Sequence, residues 1–308
     1  MDWLLIALIA PVLWAFVSVI DNFFVESVYK DELDGIVISA LFQLAPWLLV
    51  PLGILQFSSF ESTSVWAIGS GFFFLASLFQ YFRSLFLVND SALMQILWSL
   101  SVPLVPFFAF FFVNETLSLS HYLGIAVAFV GVLIFNFDIE PGAGKRLRRV
   151  AIPMAWAVVC MALSMVFGKK AFIVSSNIET NFLLFCLGGV FILLLVPLFD
   201  RMTLVKRFTQ TRDLMRGHFI VFSLAEGLSV MATFSSQWAI KLAPAISFVA
   251  LIESLTPVFV VLVSIGVILS IRFFGNHTLE KIYREQIVHM RVKILATVII
   301  ATGVFLIS

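Results

Sequence analysis

The sequence predicts an all-α polytopic membrane protein, with about ten transmembrane helices arranged as two inverted five-helix repeats. Three observations predict it. Of 308 residues 61% are hydrophobic and 12% charged, far from the balance of a water-soluble domain. Apolar runs of bilayer length follow one another with little chain between them. Short motifs of the first half then return, in order, in the second. The same composition bounds the partners: a net charge of +1 recruits no nucleic acid, which leaves the lipid bilayer and a small-molecule substrate.

A window of about 19 residues places spans near 3–25, 35–57, 65–88, 92–113, 119–137, 150–172, 181–199, 217–241, 245–271 and 292–307. The first is long enough, at about 1.5 Å per residue, to cross the hydrocarbon. It carries Asp2 where a signal peptide has basic residues, so it is read as a helix and not as a cleaved leader. The third leads through the short turn "NDS" at 89–91 into the fourth, which ends in "VNETLS" at 113–118. The fifth carries Gly124, Ala128 and Gly131, and the tenth Ala296 and Gly303, small surfaces suited to close helix approach. A basic linker at 138–149 precedes the sixth span. The seventh holds Cys186 and the sixth Cys160, neither in a disulfide or metal pattern. The eighth passes through "KLAPA" at 241–245 into the ninth, and a long charged segment at 271–293 leads to the tenth.

Loop charge sets an expected orientation. Three long connections, 138–150, 200–218 and 271–293, hold most of the Lys and Arg and fall on one side of a ten-span chain. The positive-inside rule puts them in the cytoplasm and both termini outside.

The repeat is visible in three places. "PVLWA" at 11–15 returns as "PMAWA" at 153–157, matching Pro11 and Trp14 with Pro153 and Trp156. "SALMQILWSLSVP" at 91–103 is echoed by "PAISFVALIESLTP" at 244–257, and "GVLIF" at 131–135 by "GVFLI" at 303–307. The units are 1–137 and 150–308. Five is odd, so the second unit is inserted inverted, an architecture whose substrate site lies between the halves in many secondary transporters.

With these motifs the chain resembles the drug/metabolite transporter superfamily and, within it, the EamA-like ten-helix exporters. The resemblance rests on the Pro-x-x-Trp-Ala openings, the short third-to-fourth turn, Ser-Leu-x-x-Pro at 99–103, and Glu115 in a Glu-x-Leu-Ser setting. It covers nearly the whole chain but departs after the ninth span, where the charged segment stands, so no role passes from Glu115 to Glu280. It implies a central cavity lined by helices one, three, four, six, eight and nine, with five and ten peripheral. It also implies cytoplasmic termini, against the loop charges. The expected location is a multi-pass position in the bacterial cytoplasmic (inner) membrane.

Polar stripes mark the candidate site. Trp14, Ser18, Asp21 and Asn22 recur on the first span; Ser77, Gln80 and Ser84 on the third, beside Arg83; Ser91, Gln95 and Ser99 on the fourth, beside Trp98; and Glu226, Ser229, Thr233, Ser236 and Gln237 on the eighth. The ninth offers Ser247, Glu253 and Ser254. Trp14, Ser18, Asp21, Asn22, Gln80, Arg83, Gln95, Trp98, Trp156, Ser229, Thr233 and Gln237 are the substrate-cavity candidates. Glu226, Glu253 and Asp21 are the coupling candidates, because ionisable groups inside a membrane mark pathways or proton relays. Structural readings stand beside these. Serines and threonines also bond their own helix or glue two helices, Asp21 with Glu26 reaches the interface if it sits high, Arg83 snorkels, and Trp14, Trp98 and Trp156 anchor at interfaces. Pro103 and Pro257 are expected to kink the fourth and ninth helices.

Enzymatic motifs are absent: "GAGKRL" at 142–147 lacks the spacing and the Ser or Thr of a phosphate loop. No cofactor and no metal are expected. The expected function is secondary transport, by alternating access, of small metabolites, amino acids or amphipathic compounds, with export and proton coupling as its finer parts. The alternative is a lipid-handling or scaffold membrane protein without solute transport.

Overall fold

A computed structural model of the chain describes residues 2–88, 91–136, 143–200, 204–274 and 290–307. Outside it lie residues 89–90 of the third-to-fourth turn, 137 with 138–142 of the linker, and 275–289 with Glu280, as do the side chains of Asn22, Glu26, Ser91 and Gln95. The described residues form helices α1 (Asp2–Ser27), α2 (Glu32–Phe42), α3 (Ser64–Val88), α4 (Ser91–Ser99), α5 (Ser101–Val113), α6 (Leu119–Asn136), α7 (Ala143–Val174), α8 (Ile178–Val190), α9 (Val196–Phe199), α10 (Leu204–Leu242), α11 (Ile246–Glu253), α12 (Thr256–Phe274) and α13 (Met290–Ile307). No strand occurs among them.

Among the described residues seven helical segments are long and apolar enough to cross a membrane: Trp3–Val25, Glu32–Leu49, Ser64–Val88, Lys145–Val174, Ile178–Phe199, Val205–Leu242 and Ile246–Gly266. Shorter apolar helices cover Leu97–Val113 and Leu119–Phe135. Large apolar side chains such as Leu5, Ile152, Ile220 and Phe305 stand on the outside, while serines, acids and Gln237 are buried. That arrangement suits a lipid surround, where every backbone polar group is best satisfied within a helix.

Local chemistry sets the ends. Asp31 caps α2, accepting from the N–H groups of Leu33 (3.0 Å) and Asp34 (3.2 Å), and Asn177 caps α8 through the Thr180 N–H (3.0 Å). The second predicted span stops short of 57: after α2 a 3₁₀ turn at Ala45–Leu49 gives way to non-helical chain with Gly53 at positive φ. The chain from there folds onto α8, where the Ser58 N–H donates to Thr180 Oγ1 at 3.1 Å and Trp47 Nε1 to the Leu183 carbonyl at 3.0 Å. Two charged connections are helical where they are described. α7 begins at Ala143, inside the basic linker, and α10 at Leu204, before bending at His218 (φ −132, ψ 26). Their Lys and Arg residues are good helix formers, so polarity there does not end the helix.

Packing joins the two parts of the chain. α3 lies on α7 and α8, while α10 lies on α1 and α2; α5 lies on α7, while α12 lies on α1; α6 lies on α13. In the last pair a Cβ on Gly303 would stand 2.5 Å from the Ala128 nitrogen, and one on Gly131 2.9 Å from the Ile300 nitrogen. The small residues read from the sequence are therefore where these helices touch. A contact the sequence reading missed joins α3 to α8, where a Cβ on Gly71 would run into the Phe185 carbonyl oxygen.

Candidate functional site

The two broken helices converge on one space. α4 and α5 part at Leu100, and α11 and α12 part at Ser254 and Leu255. Pro103 and Pro257 sit in the first turn after each break, where a proline's missing N–H costs nothing. The kinks expected at these prolines thus lie just ahead of them. Trp98, Ser99, Ser101 and Val102 at the first break, and Glu253, Ser254, Thr256 and Pro257 at the second, line a cavity. The cavity has a volume of about 110 Å³, room for several waters.

Ala10, Pro11, Trp14, Val17, Ser18 and Asp21 supply the α1 wall, a spacing that keeps them on one helical face. α2 adds Ser39, α7 adds Met161 and Met165, α10 adds Glu226 and Ser229, and α3 adds an aromatic side with Phe74, Tyr81 and Phe82. Helices α6 and α13 contribute nothing to the described lining.

Three carboxylates face this space from separate helices. Glu226 Oε1 accepts from Ser39 Oγ at 2.7 Å, and Glu253 Oε1 from Ser236 Oγ at 2.5 Å. Asp21 and Glu226 are near enough to feel each other's charge. Tyr29 lies buried in the connection between α1 and α2. Burial first, then the charges of Asp21, Glu226 and Asp34, push its phenol above its ordinary pKa.

Of the sequence candidates, Trp14, Ser18, Asp21, Trp98, Ser229, Glu226 and Glu253 come together here. Thr233 and Gln237 do not line the cavity. Each step of four residues turns the stripe by about 40° around the helix, which carries Thr233 and Gln237 off the wall. The Thr233 hydroxyl bonds the Ser229 carbonyl at 2.8 Å, and Gln237 lies against α7 at Gly168. Gln80 is half-buried outside the lining, Arg83 is exposed, and Trp156, the counterpart of Trp14, faces outward with 60% of its surface exposed. Asn22 and Gln95 have side chains outside the described residues. Several serines take the structural reading. Ser77 and Ser84 bond their own helix, and Ser70 and Ser164 exchange hydrogen bonds with each other's carbonyls at 2.7 and 2.8 Å, gluing α3 to α7.

Sequence reasoning missed Ser39 as the partner of Glu226, because a lone serine in an apolar run carries no signal of what it faces; Ser236 belonged to the predicted stripe, but its partner Glu253 was not foreseen. Also missed were two polar links between the parts of the chain. Arg207 is buried among Asp31, Asp34 and Asp200 at 2.8, 3.0 and 2.6 Å. At the end of α5, Asn114 is left-handed (φ 54, ψ 36), a conformation asparagine tolerates. Glu115 follows it and reaches across to cap α11, accepting from the Ile246 N–H at 2.7 Å, the Ser247 N–H at 3.3 Å and the Ser247 hydroxyl. The Glu-x-Leu-Ser motif thus acts here as a helix cap supplied by a distant segment. Nearby, Lys169 Nζ donates to the Ile240 and Ala243 carbonyls, at 3.0 and 2.6 Å, closing the end of α10.

No family model matches the chain, and no curated protein matches it. Among 26 similar solved chains is one described only as "Crystal structure of protein". It is 16% identical, with a TM-score of 0.65, and the match covers 100% of this chain and 98% of that one. At that identity the likeness speaks for the fold alone. The comparisons therefore support a shared all-helical architecture along the whole chain and leave its function to the site's own chemistry.

Proposed function

We propose that the chain is a secondary transporter that moves a small solute by alternating access, with ten spans in two inverted five-helix units. The observation that carries this reading is the acid-lined cavity at the meeting of two broken helices, one from each part of an apolar, all-helical chain. Discontinuous helices facing a polar space between repeats are how many transporters build their site. The inverted repeat is supported by the packing. Exchanging each helix with the one five spans later turns α3 on α7 into α10 on α1, and α5 on α7 into α12 on α1, and both members of each pair occur.

A scaffold needs no wet cavity holding three acids, each costing roughly 2.5–3.5 kcal/mol at the centre of a membrane helix. Coupling to protons through Glu226, Glu253 or Asp21 is the finer part of the proposal, as are export and a place in the bacterial inner membrane. Inside-out vesicles containing the protein test it. Accumulation from a metabolite panel that collapses with the pH gradient supports proton-coupled transport. Accumulation independent of that gradient removes the coupling, and no movement of any solute favours the lipid-handling or scaffold alternative.

A further inference from the structure

The charge and the walls of the cavity together name a substrate class, an inference that rests on the transport reading above. Asp21, Glu226 and Glu253 line the space, and the described lining contains no Lys, Arg or His. Like charges withdrawn from bulk water are costly unless something neutralises them. Arg207 is engaged by three aspartates and Lys169 by two backbone carbonyls. The acids do not converge as a metal site does: no cluster of three or more His, Cys, Asp or Glu with metal-binding geometry occurs among the described residues. The three acids come from separate helices, α1, α10 and α11.

The remaining wall says what the body of that occupant is like. Trp14, Phe74, Tyr81, Phe82 and Trp98 present rings to the cavity, and aromatic faces attract cations as well as apolar groups. Trp14 Nε1 is buried with no hydrogen-bond partner among the described residues, leaving its N–H for an acceptor on a ligand. An anion would meet three carboxylates. A sugar would find mostly rings and few donors.

We propose that the cavity binds an amphipathic organic monocation, its charged nitrogen among Asp21, Glu226 and Glu253 and its apolar body against the Trp14 and Trp98 rings. The test uses three probes that share a phenyl body and differ in charge: benzyltrimethylammonium, 2-phenylethanol and phenylacetate. Each is titrated against the purified full-length protein while tryptophan fluorescence is followed, since Trp14 and Trp98 border the site. The expected result is saturable quenching by the cation at an affinity at least about tenfold above that of the alcohol, and none by phenylacetate. Asp21→Asn and Glu253→Gln should each weaken the cation about tenfold and leave the alcohol unchanged, and that unchanged value also reports that the variants are folded. Arg83→Gln, outside the cavity, should change neither.

Equal affinity for cation and alcohol, tighter binding of phenylacetate, or no saturable binding of any probe overturns the inference, and the charge series on the unsubstituted protein decides this even where a variant fails to fold. Failure of this inference and failure of the transport reading look different. Phenylacetate or phenylethanol carried across vesicles removes the substrate class and keeps transport. The cation bound but carried by no vesicle removes transport and keeps the binding site.

Discussion

Arg207→Leu removes the cation at the centre of the charge cluster that ties the α1–α2 connection to the start of α10. The guanidinium side chain is 3% exposed; Nη1 and Nη2 grip Asp31 at 2.8 and 2.9 Å, Nη1 also reaches Asp34 at 3.0 Å, and Nε reaches Asp200 at 2.6 Å. Asp34 is 0% and Asp200 5% exposed, so the substitution takes the cation away from two carboxylates that water cannot reach. Breaking a buried pair by removing one partner costs about 3–5 kcal/mol. Two features argue for the lower end. Asp31 is 31% exposed, and Asp34 keeps the Lys30 N–H and the Gln210 amide, both at 2.9 Å.

A loss of about 3 kcal/mol lowers the folded-to-unfolded ratio roughly a hundredfold. Reversible unfolding in mixed micelles with a denaturing detergent reads it. The double variant Arg207→Leu with Asp34→Leu separates charge from packing, because a buried pair exchanged for apolar side chains loses its desolvation cost along with its attraction. It should regain at least about 1 kcal/mol over Arg207→Leu. A loss below about 1 kcal/mol for the single variant, or strict additivity in the double, would refute the reasoning.

Three other outcomes are expected. Glu115→Ala should cost about 0.5–2 kcal/mol by uncapping α11, read in the same unfolding assay, with Glu115→Gln losing less because it keeps an acceptor; no loss in either would mean the cap is not supported in the membrane. With Cys160 and Cys186 replaced, a single cysteine at Ser229 should react with a membrane-impermeant thiol reagent, while cysteines at Thr233 and Gln237 should react far more slowly, and equal labelling of the three would contradict the cavity wall described here. If loop charge governs insertion, a reporter fused after Ser308 that works only in the cytoplasm should be silent; a strong signal would favour the orientation implied by the superfamily resemblance.

The acids Asp21, Glu226 and Glu253 were legible because a charge in an apolar run stands out whatever the helix does around it. Trp14 and Ser18 were legible because they lie seven and three residues before Asp21, about two turns and one turn of the helix, and such 3–4 spacing keeps all three on one face. Thr233 and Gln237 sit one and two further steps from Ser229, far enough for a four-residue ladder to mislead. Arg207 was hidden for a different reason. The density of charge at 200–218 reads as a loop, whereas from Leu204 onward it is helix, and its partners Asp31 and Asp34 are more than 170 residues away in the chain. Trp156 shows the limit of repeat reasoning. It matches Trp14 in sequence but faces outward, because two helices that share a motif need not turn the same face to a cavity.

The most direct test of the central claim is transport by protein reconstituted in liposomes with Glu226→Gln, Glu253→Gln or Asp21→Asn, comparing uptake driven by a pH gradient with exchange of substrate at equilibrium. If an acid of this cavity couples protons to solute movement, its neutral variant should lose gradient-driven uptake and retain exchange, because exchange needs the site but no release of a proton. Driven uptake that is normal in all three variants, with an unchanged dependence on pH, would contradict the account.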